Sequence, residues 1–281
     1  MNKLKNGLNQ SWEMLVMSKI KHPVIRYHGG KFRLAPWVIS HFPDHRCYVE
    51  PFGGAASVLM RKERSYAEVY NDLDSEVVNL FTVLRDAELN EKLQLACQLT
   101  PYSRDEFKLA SEPASDPVEK ARRMVVRACM GFGSASGLGG TSGFRSDSKR
   151  KYALSSHLWA KYPENLSAVC QRLQGVIIEN KTAVELIKQH DSNDTLFYLD
   201  PPYVSDTRVK GNRYYNFEMT NEQHQELLNS VKEVNGKVLI SGYDSDLYNC
   251  ELSTWRKVTK DSRISAGRGT GIRTECLWLN F

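Results

Sequence analysis

Thr195-Leu196-Phe197-Tyr198-Leu199-Asp200-Pro201-Pro202-Tyr203 is the stretch on which the reading of the chain turns. An apolar run of strand length stops abruptly at a carboxylate, two prolines and an aromatic ring. Two consecutive prolines cannot donate to a sheet ladder, so the strand ends at Leu199 and the carbonyls of Asp200 and Pro201 take fixed directions. In an open α/β sheet the carboxyl ends of the strands are where ligands bind. The motif offers acceptors and a stacking face but no nucleophile. That equipment suits a planar ring carrying an exocyclic NH2, with Asp200 and a proline-side carbonyl accepting its two N–H bonds and Tyr203 lying against it. A nucleobase is such a ring. Read alone, the same four residues are also an ordinary turn with a tyrosine packed in a core.

The rest of the chain supplies the company that separates these readings. With 281 residues, 41% of them hydrophobic, the chain is long enough for one α/β domain with a sizeable insert. Its six cysteines are widely spaced, with no Cys-x-x-Cys and no His-Glu-x-x-His, so neither a disulfide framework nor a metal site is expected. That cysteine usage fits a reducing cytoplasm, and since no apolar run approaches the ~18 residues of a membrane span and no signal peptide is legible, a soluble protein is expected. Residues 1–22 read as a loosely ordered extension.

Short apolar runs at 48–50, 68–70, 176–178, 196–199, 237–241 and 276–281 read as strands, with helical patterns between them, such as 221–234 behind Thr220 as N-cap. The alternation predicts a mainly parallel sheet covered on both faces, closed by an antiparallel strand at the carboxyl terminus. It is interrupted over 86–165, where helices at 90–99, 103–111 and 117–129 precede a glycine-rich stretch over 131–145. This segment reads as an inserted helical subdomain in a catalytic domain made of 23–85 and 166–281. Between Lys120 and Lys161 lie nine Lys or Arg against one acid, Asp147, in a chain of formal net charge +5, so the remainder is slightly acidic. A basic insert on an acidic body is the footprint of a nucleic-acid face, and Arg127, Arg145, Lys149, Arg150 and Lys151 are the expected DNA-binding residues. A solvated surface is the plainer alternative.

Two glycine-rich segments precede the insert: Tyr27-His28-Gly29-Gly30-Lys31, and Glu50-Pro51-Phe52-Gly53-Gly54, directly after a strand and before a helical pattern. A glycine turn there lets a ligand approach the backbone and aims helix N–H groups at it. Neither has the Gly-x-Gly-x-x-Gly spacing of a dinucleotide site or the Lys-Ser/Thr of a triphosphate loop. Asp72 closes the next strand about 20 residues later, where an acid can accept from ribose hydroxyls; it could equally cap a helix. A ribose-gripping acid without a phosphate-binding fingerprint points to a nucleoside lacking phosphate, and S-adenosyl-L-methionine is one.

Taken in order, Tyr27 to Lys31, Glu50 to Gly54, Asp72 and Asp200 to Tyr203 resemble the Dam-type, D12-class DNA adenine-N6 methyltransferases of bacteria and their phages. The resemblance implies a seven-stranded, Rossmann-like methyltransferase sheet with a helical target-recognition subdomain. It implies site-specific transfer of a methyl group from S-adenosyl-L-methionine to adenine N6 in double-stranded DNA by base flipping, by an enzyme either solitary or part of a restriction–modification pair. Tyr27, Gly29, Gly30, Lys31, Glu50, Pro51, Phe52, Gly53, Asp72 and Asp200 are then the cofactor-binding residues, and Asp200, Pro201, Pro202 and Tyr203 the catalytic ones. No metal and no membrane partner is expected. Methylation of cytosine N4, an RNA substrate, and a DNA-binding protein with a vestigial pocket remain as alternatives.

Overall fold

A computed structural model describes residues 20–133, 142–149, 154–207, 215–266 and 269–281. Among them a single seven-stranded sheet runs through the molecule in the order β3-β2-β1-β4-β5-β7-β6. The strands are β1 (Cys47–Glu50), β2 (Ala67–Asn71), β3 (Val176–Glu179), β4 (Thr195–Leu199), β5 (Lys237–Tyr243), β6 (Arg256–Ala266) and β7 (Gly269–Leu279). β1 to β5 are parallel, and β7 is antiparallel to both β5 and β6.

Each strand sorts its side chains onto two faces with period two. Tyr48, Tyr70, Leu196, Tyr198, Leu239, Leu277 and Leu279 join one core with the helices Ser75–Arg85, Ala87–Leu99 and Pro117–Met130. Their neighbours Val49, Val69, Phe197, Leu199, Val238, Ile240, Cys276 and Trp278 join a second core with the helices Ala183–His190 and Asn221–Lys232. A sheet covered on both faces has uniformly apolar central strands, and every residue of β4 is buried.

Helix starts follow side-chain caps. Asp74, Asp86, Ser103 and Asp116 accept from the backbone N–H of Glu76, Leu89, Glu106 and Glu119, while Thr182 with Glu185 and Thr220 with Gln223 form capping boxes. Asp74, not Asp72, is thus the cap of the helix after β2. The segment after β1 departs from the expected helix: it is a series of turns, with isolated helical bonds from Met60 N–H to Ala56 O and from Lys62 N–H to Val58 O. The intervening Leu59 N–H instead donates to the Glu50 carboxylate at 2.8 Å, which interrupts a regular ladder.

The helical segment between β2 and β3 packs on the helix Ser75–Arg85 and shares the sheet's own core. Arg122 ties it together, donating to Glu119, Glu106 and the Thr100 hydroxyl, while Trp159 Nε1 donates to the Thr100 carbonyl. One strand has no counterpart among the apolar runs of the sequence. β6 pairs with β7 along their whole length, yet its composition, Arg-Lys-Val-Thr-Lys-Asp-Ser-Arg, is that of an edge strand with water on one side.

Candidate active site

The strand order reverses between β1 and β4: from β1 the chain works outward to β2 and β3, and from β4 outward to β5. Loops leaving the two strands diverge there and open a crevice, the usual ligand site of such sheets. A cavity of about 320 Å³ lies at this point. Tyr27, Gly29, Gly30, Lys31, Glu50, Pro51, Phe52, Gly53, Asp72, Asp200 and Pro202 all line it, so the structure gathers the whole expected cofactor set into one cleft. Pro201 and Tyr203 are not in its wall: Pro201 is buried, and Tyr203 stands half-buried beside Lys31.

On the β1 side the backbone is held by its neighbours. Gly53 N–H donates to Asn71 O at 2.7 Å, and the Tyr70 hydroxyl donates to Gly54 O at 2.7 Å. A Cβ on Gly53 would run into the Tyr70 ring, and Gly54, at φ +47°, faces the Tyr27 ring. Both positions therefore require glycine, the first for close approach and the second for its left-handed backbone. The Glu50 carboxylate behind them accepts from the Tyr48 hydroxyl at 2.6 Å, and burial raises its pKa to about 7 against the pull of these bonds.

Asp72 closes β2 with both oxygens on the backbone, Oδ2 accepting from Gly54 N–H at 2.8 Å and Oδ1 from Asp74 N–H at 2.9 Å. It thereby ties the β2 end to the glycine turn, and burial raises its pKa to about 6 in spite of the two N–H donors.

On the β4 side, Asp200 Oδ1 accepts from Ser241 Oγ at 2.8 Å and sits 3.0 Å from Lys31 Nζ. Ser241 belongs to β5, next to the strand that carries Asp200, so the carboxylate is fixed by the sheet itself. Lys31 is 5% exposed. Its ammonium also donates to Gly29 O at 2.8 Å and lies 4.7 Å from the centre of the Tyr203 ring. Burial works against the charge, but Asp200 and Glu275 outweigh it and hold the Lys31 pKa above the ordinary lysine value. The Tyr203 ring meets Tyr243 edge-on at 4.6 Å, and its hydroxyl donates to Glu275 Oε2 at 2.8 Å. Glu275 is buried on β7, and burial raises its pKa although Lys31 and the Tyr203 hydroxyl oppose it.

Sequence reasoning missed several parts of this wall. Residues 215–219 cover it from outside: Asn216 Nδ2 donates to Asp74 Oδ2 at 2.8 Å, Tyr215 packs against Tyr27 and His28, and Phe217, Glu218 and Met219 line the cavity. From the β3 end come Lys181, Thr182, Ala183 and Val184. Glu275 did carry a signal, as an acid next to the apolar run Cys276-Leu277-Trp278-Leu279.

The expected DNA-binding residues divide. Lys149 is exposed, and Arg150 and Lys151 lie outside the described residues. Arg145 is half-buried, stacked over Phe132 with its carbonyl accepting from the Tyr102 hydroxyl. Arg127 is 8% exposed, with its guanidinium donating to Ala110 O at 2.6 Å and Glu76 Oε2 at 2.7 Å. An amphipathic helix buried this face, and Arg127 went with it to tie neighbouring helices together.

A seven-stranded sheet whose last strand is antiparallel, with a cleft at its switch point and Asp-Pro-Pro-Tyr at the end of β4, has the fold of the S-adenosylmethionine-dependent methyltransferases. More narrowly, the chain belongs to the D12 class N6 adenine-specific DNA methyltransferases, whose family model matches residues 27–261. It is similar to the DNA adenine methylase of Salmonella typhi, 22% identical over 258 residues that cover 88% of this chain and 90% of that one. Those of Haemophilus influenzae (22%, covering 82% and 84%) and Escherichia coli K12 (23%, covering 79% and 81%) are similar to it as well. The protein is an adenine-specific DNA methyltransferase, which settles the choice between adenine N6 and cytosine N4. Among the described residues no group of three or more His, Cys, Asp or Glu is arranged to hold a metal ion, and no helix is long and apolar enough to cross a membrane.

Proposed function

We propose that the cleft binds S-adenosyl-L-methionine and that an adenine flipped out of double-stranded DNA enters beside it to be methylated at N6. One observation carries the reading: Asp72 and Asp200, delivered by different strands, line the same cavity of about 320 Å³. The donor set fits the cofactor. Asp72 offers a carboxylate to ribose hydroxyls, the Gly53–Gly54 turn brings backbone to the wall, and Phe52 adds an apolar side chain. When bound there, S-adenosyl-L-methionine supplies an electrophilic methyl group whose leaving group departs as a neutral thioether, and the proton that N6 then sheds passes to solvent by way of the Asp200 carboxylate.

The chain's task is then alignment. Adenine N6 is a poor nucleophile because its lone pair is delocalised into the ring. Hydrogen bonds from N6 to Asp200 and the Pro201 carbonyl favour a pyramidal amine with its lone pair turned to the methyl group, while Tyr203 stacks on the base. Ser241 and Lys31 hold Asp200 in one orientation for this. Orientation of this kind is worth roughly 7 to 11 kcal/mol in model reactions. A base inside a duplex cannot reach such a cleft, so it is extruded. Lys149, Arg150 and Lys151 bind the phosphates, residues 86–165 act as the target-recognition part, and the enzyme works in the cytoplasm.

Incubation with methyl-labelled S-adenosyl-L-methionine and duplex DNA, followed by digestion to nucleosides, tests the reading. Label is expected in N6-methyldeoxyadenosine. Label in N4-methyldeoxycytidine, in RNA alone, or in neither polymer would overturn it.

A further inference from the structure

β6 and β7 are each 11 residues long, yet β5 pairs with β7 only from Leu279 back to Glu275. Beyond that point the β6–β7 ladder continues from Lys260↔Glu275 to Ala266↔Gly269, and among the described residues no other strand flanks it. Antiparallel pairing of Tyr243 with Glu275 places this stretch past the end of β5. It therefore projects from the carboxyl edge of the sheet, the edge that carries Asp200 and Tyr203. At about 3.4 Å per residue, residues 269–274 make an arm roughly 20 Å long.

The arm carries two cations with described side chains, Lys260 and Arg273, while its Asp261 carboxylate is already bonded to the Thr274 hydroxyl at 2.7 Å. Directly paired residues share a face of the sheet, and so do residues two apart along a strand. Lys260, Ser262 and Arg273 therefore share the face of Glu275, which binds Tyr203. Arg273 lies over the Tyr243 ring at 5.6 Å, and that ring is the one meeting Tyr203. Lys260 lies over Trp37 at 5.7 Å. Contacts to ring faces leave the N–H groups of both cations available to an anion. A base held at Asp200 leaves its own sugar and phosphates outside the cleft, and the arm projects from the same edge of the sheet. A two-stranded ribbon is also of a size that DNA grooves accept.

We propose that this ribbon is a second DNA-binding surface, with Arg273 and Lys260 gripping backbone phosphates beside the nucleotide whose base enters the cleft. The proposal rests on the reading of that cleft as the receiver of the target base. It adds a binding surface at the sheet edge farthest from β3, which the helical segment precedes.

Binding of a fluorescent duplex to the full chain, measured by anisotropy across a salt series, tests it. Lys260→Ala/Arg273→Ala is expected to bind about tenfold more weakly near 0.1 M salt and to flatten the log–log salt slope by about 0.9 for each phosphate that is no longer neutralised. Arg273→Lys, which keeps the charge, should retain the wild-type slope. Affinity for S-adenosyl-L-methionine should be the same in all forms, because neither residue lines the cavity. If the double variant melts early, Lys260→Ala alone is read by the same criterion, a slope flatter by about 0.9. A wild-type slope and affinity in the alanine variants overturns the proposal. Failure of methyl transfer by the wild type would sink the reading of the cleft and leave this binding comparison standing.

Discussion

The hydroxyl of Tyr203 donates to Glu275 Oε2 at 2.8 Å, across the gap between the loop after β4 and strand β7. The ring expected to stack on the base is thus tethered at its far end to a buried carboxylate. From sequence the ring alone matters, and Tyr203→Phe would be mild. The tether changes that expectation, because phenylalanine leaves Glu275 with one partner fewer in a site where a hydrogen bond to a charged group is worth ~1.5 to 3 kcal/mol. Tyr203→Phe should turn over at least about tenfold more slowly, and Tyr203→Ala more slowly still, in a steady-state methyl-transfer assay. Wild-type turnover in the phenylalanine variant would show that the tether has no role.

Asp200→Ala should abolish methyl transfer, and it should also cost stability. Lys31 has Asp200 as its ion-pair partner at 3.0 Å, with the lysine side chain only 6% exposed. Removing one partner of a buried pair strands the other charge, at a cost of ~3 to 5 kcal/mol when both are fully buried and less here, since Asp200 is 19% exposed. Lys31→Met added to Asp200→Ala should recover much of the lost melting temperature and none of the activity. A double variant that melts no higher than Asp200→Ala would remove the stranded-charge explanation.

Cofactor affinity should fall on acidification through pH about 6, the value to which burial raises the Asp72 carboxyl. Below it the carboxylate takes up a proton and loses an acceptor site for ribose hydroxyls. Stability runs the other way at this group. Its pKa in the fold is above the ordinary 3.8, so its stabilising contribution is full below that value and is lost as pH rises through about 6. Calorimetric titration of S-adenosyl-L-methionine between pH 5 and 8 (about one unit below to two above) should show the fall in wild type. Asp72→Asn should bind weakly and with no break near 6; an equal break in the asparagine variant would assign it elsewhere.

Arg127→Ala should lower the melting temperature without altering the salt dependence of DNA binding. It deprives Ala110 O of its donor and Glu76 of a partner, losses of ~1 to 3 kcal/mol together once the exposure of Glu76 is allowed for. A flatter salt slope in this variant would return Arg127 to the DNA-facing residues.

The parts of the fold most legible in sequence are those buried on both sides, although the edge strand β3 is legible too, from its Val176-Ile177-Ile178 run. β1, β2, β4 and β5 announce themselves as apolar runs because both faces meet a core. β6 does not, because an edge strand facing water needs no such run, and its partner β7 shows an apolar pattern only toward its buried end. Glycine turns and strand-end acids are legible because close approach and carboxylate chemistry restrict residue choice. The helix cap lies two residues beyond the expected one, since Asp72 and Asp74 have the same chemistry and only the backbone decides which one turns into the helix. Residues 215–219 give no warning: they reach the cleft through folding back onto His28 and Asp74, an approach without local pattern.

The pairing of β1 with β4, in which Cys47 sits opposite Thr195, has a consequence for how the molecule comes into being. The two banks of the cleft are separated along the chain by the entire helical segment, so a ribosome has finished the glycine turn long before Asp200 is made. Pairings of such long sequence separation close slowly, after local helices have formed. No shorter fragment of the nascent chain holds both Asp72 and Asp200 across one cavity. Capture of the methyl donor would accordingly report that synthesis has passed β4 and that the sheet has closed, and the ligand would draw the equilibrium toward that closed state.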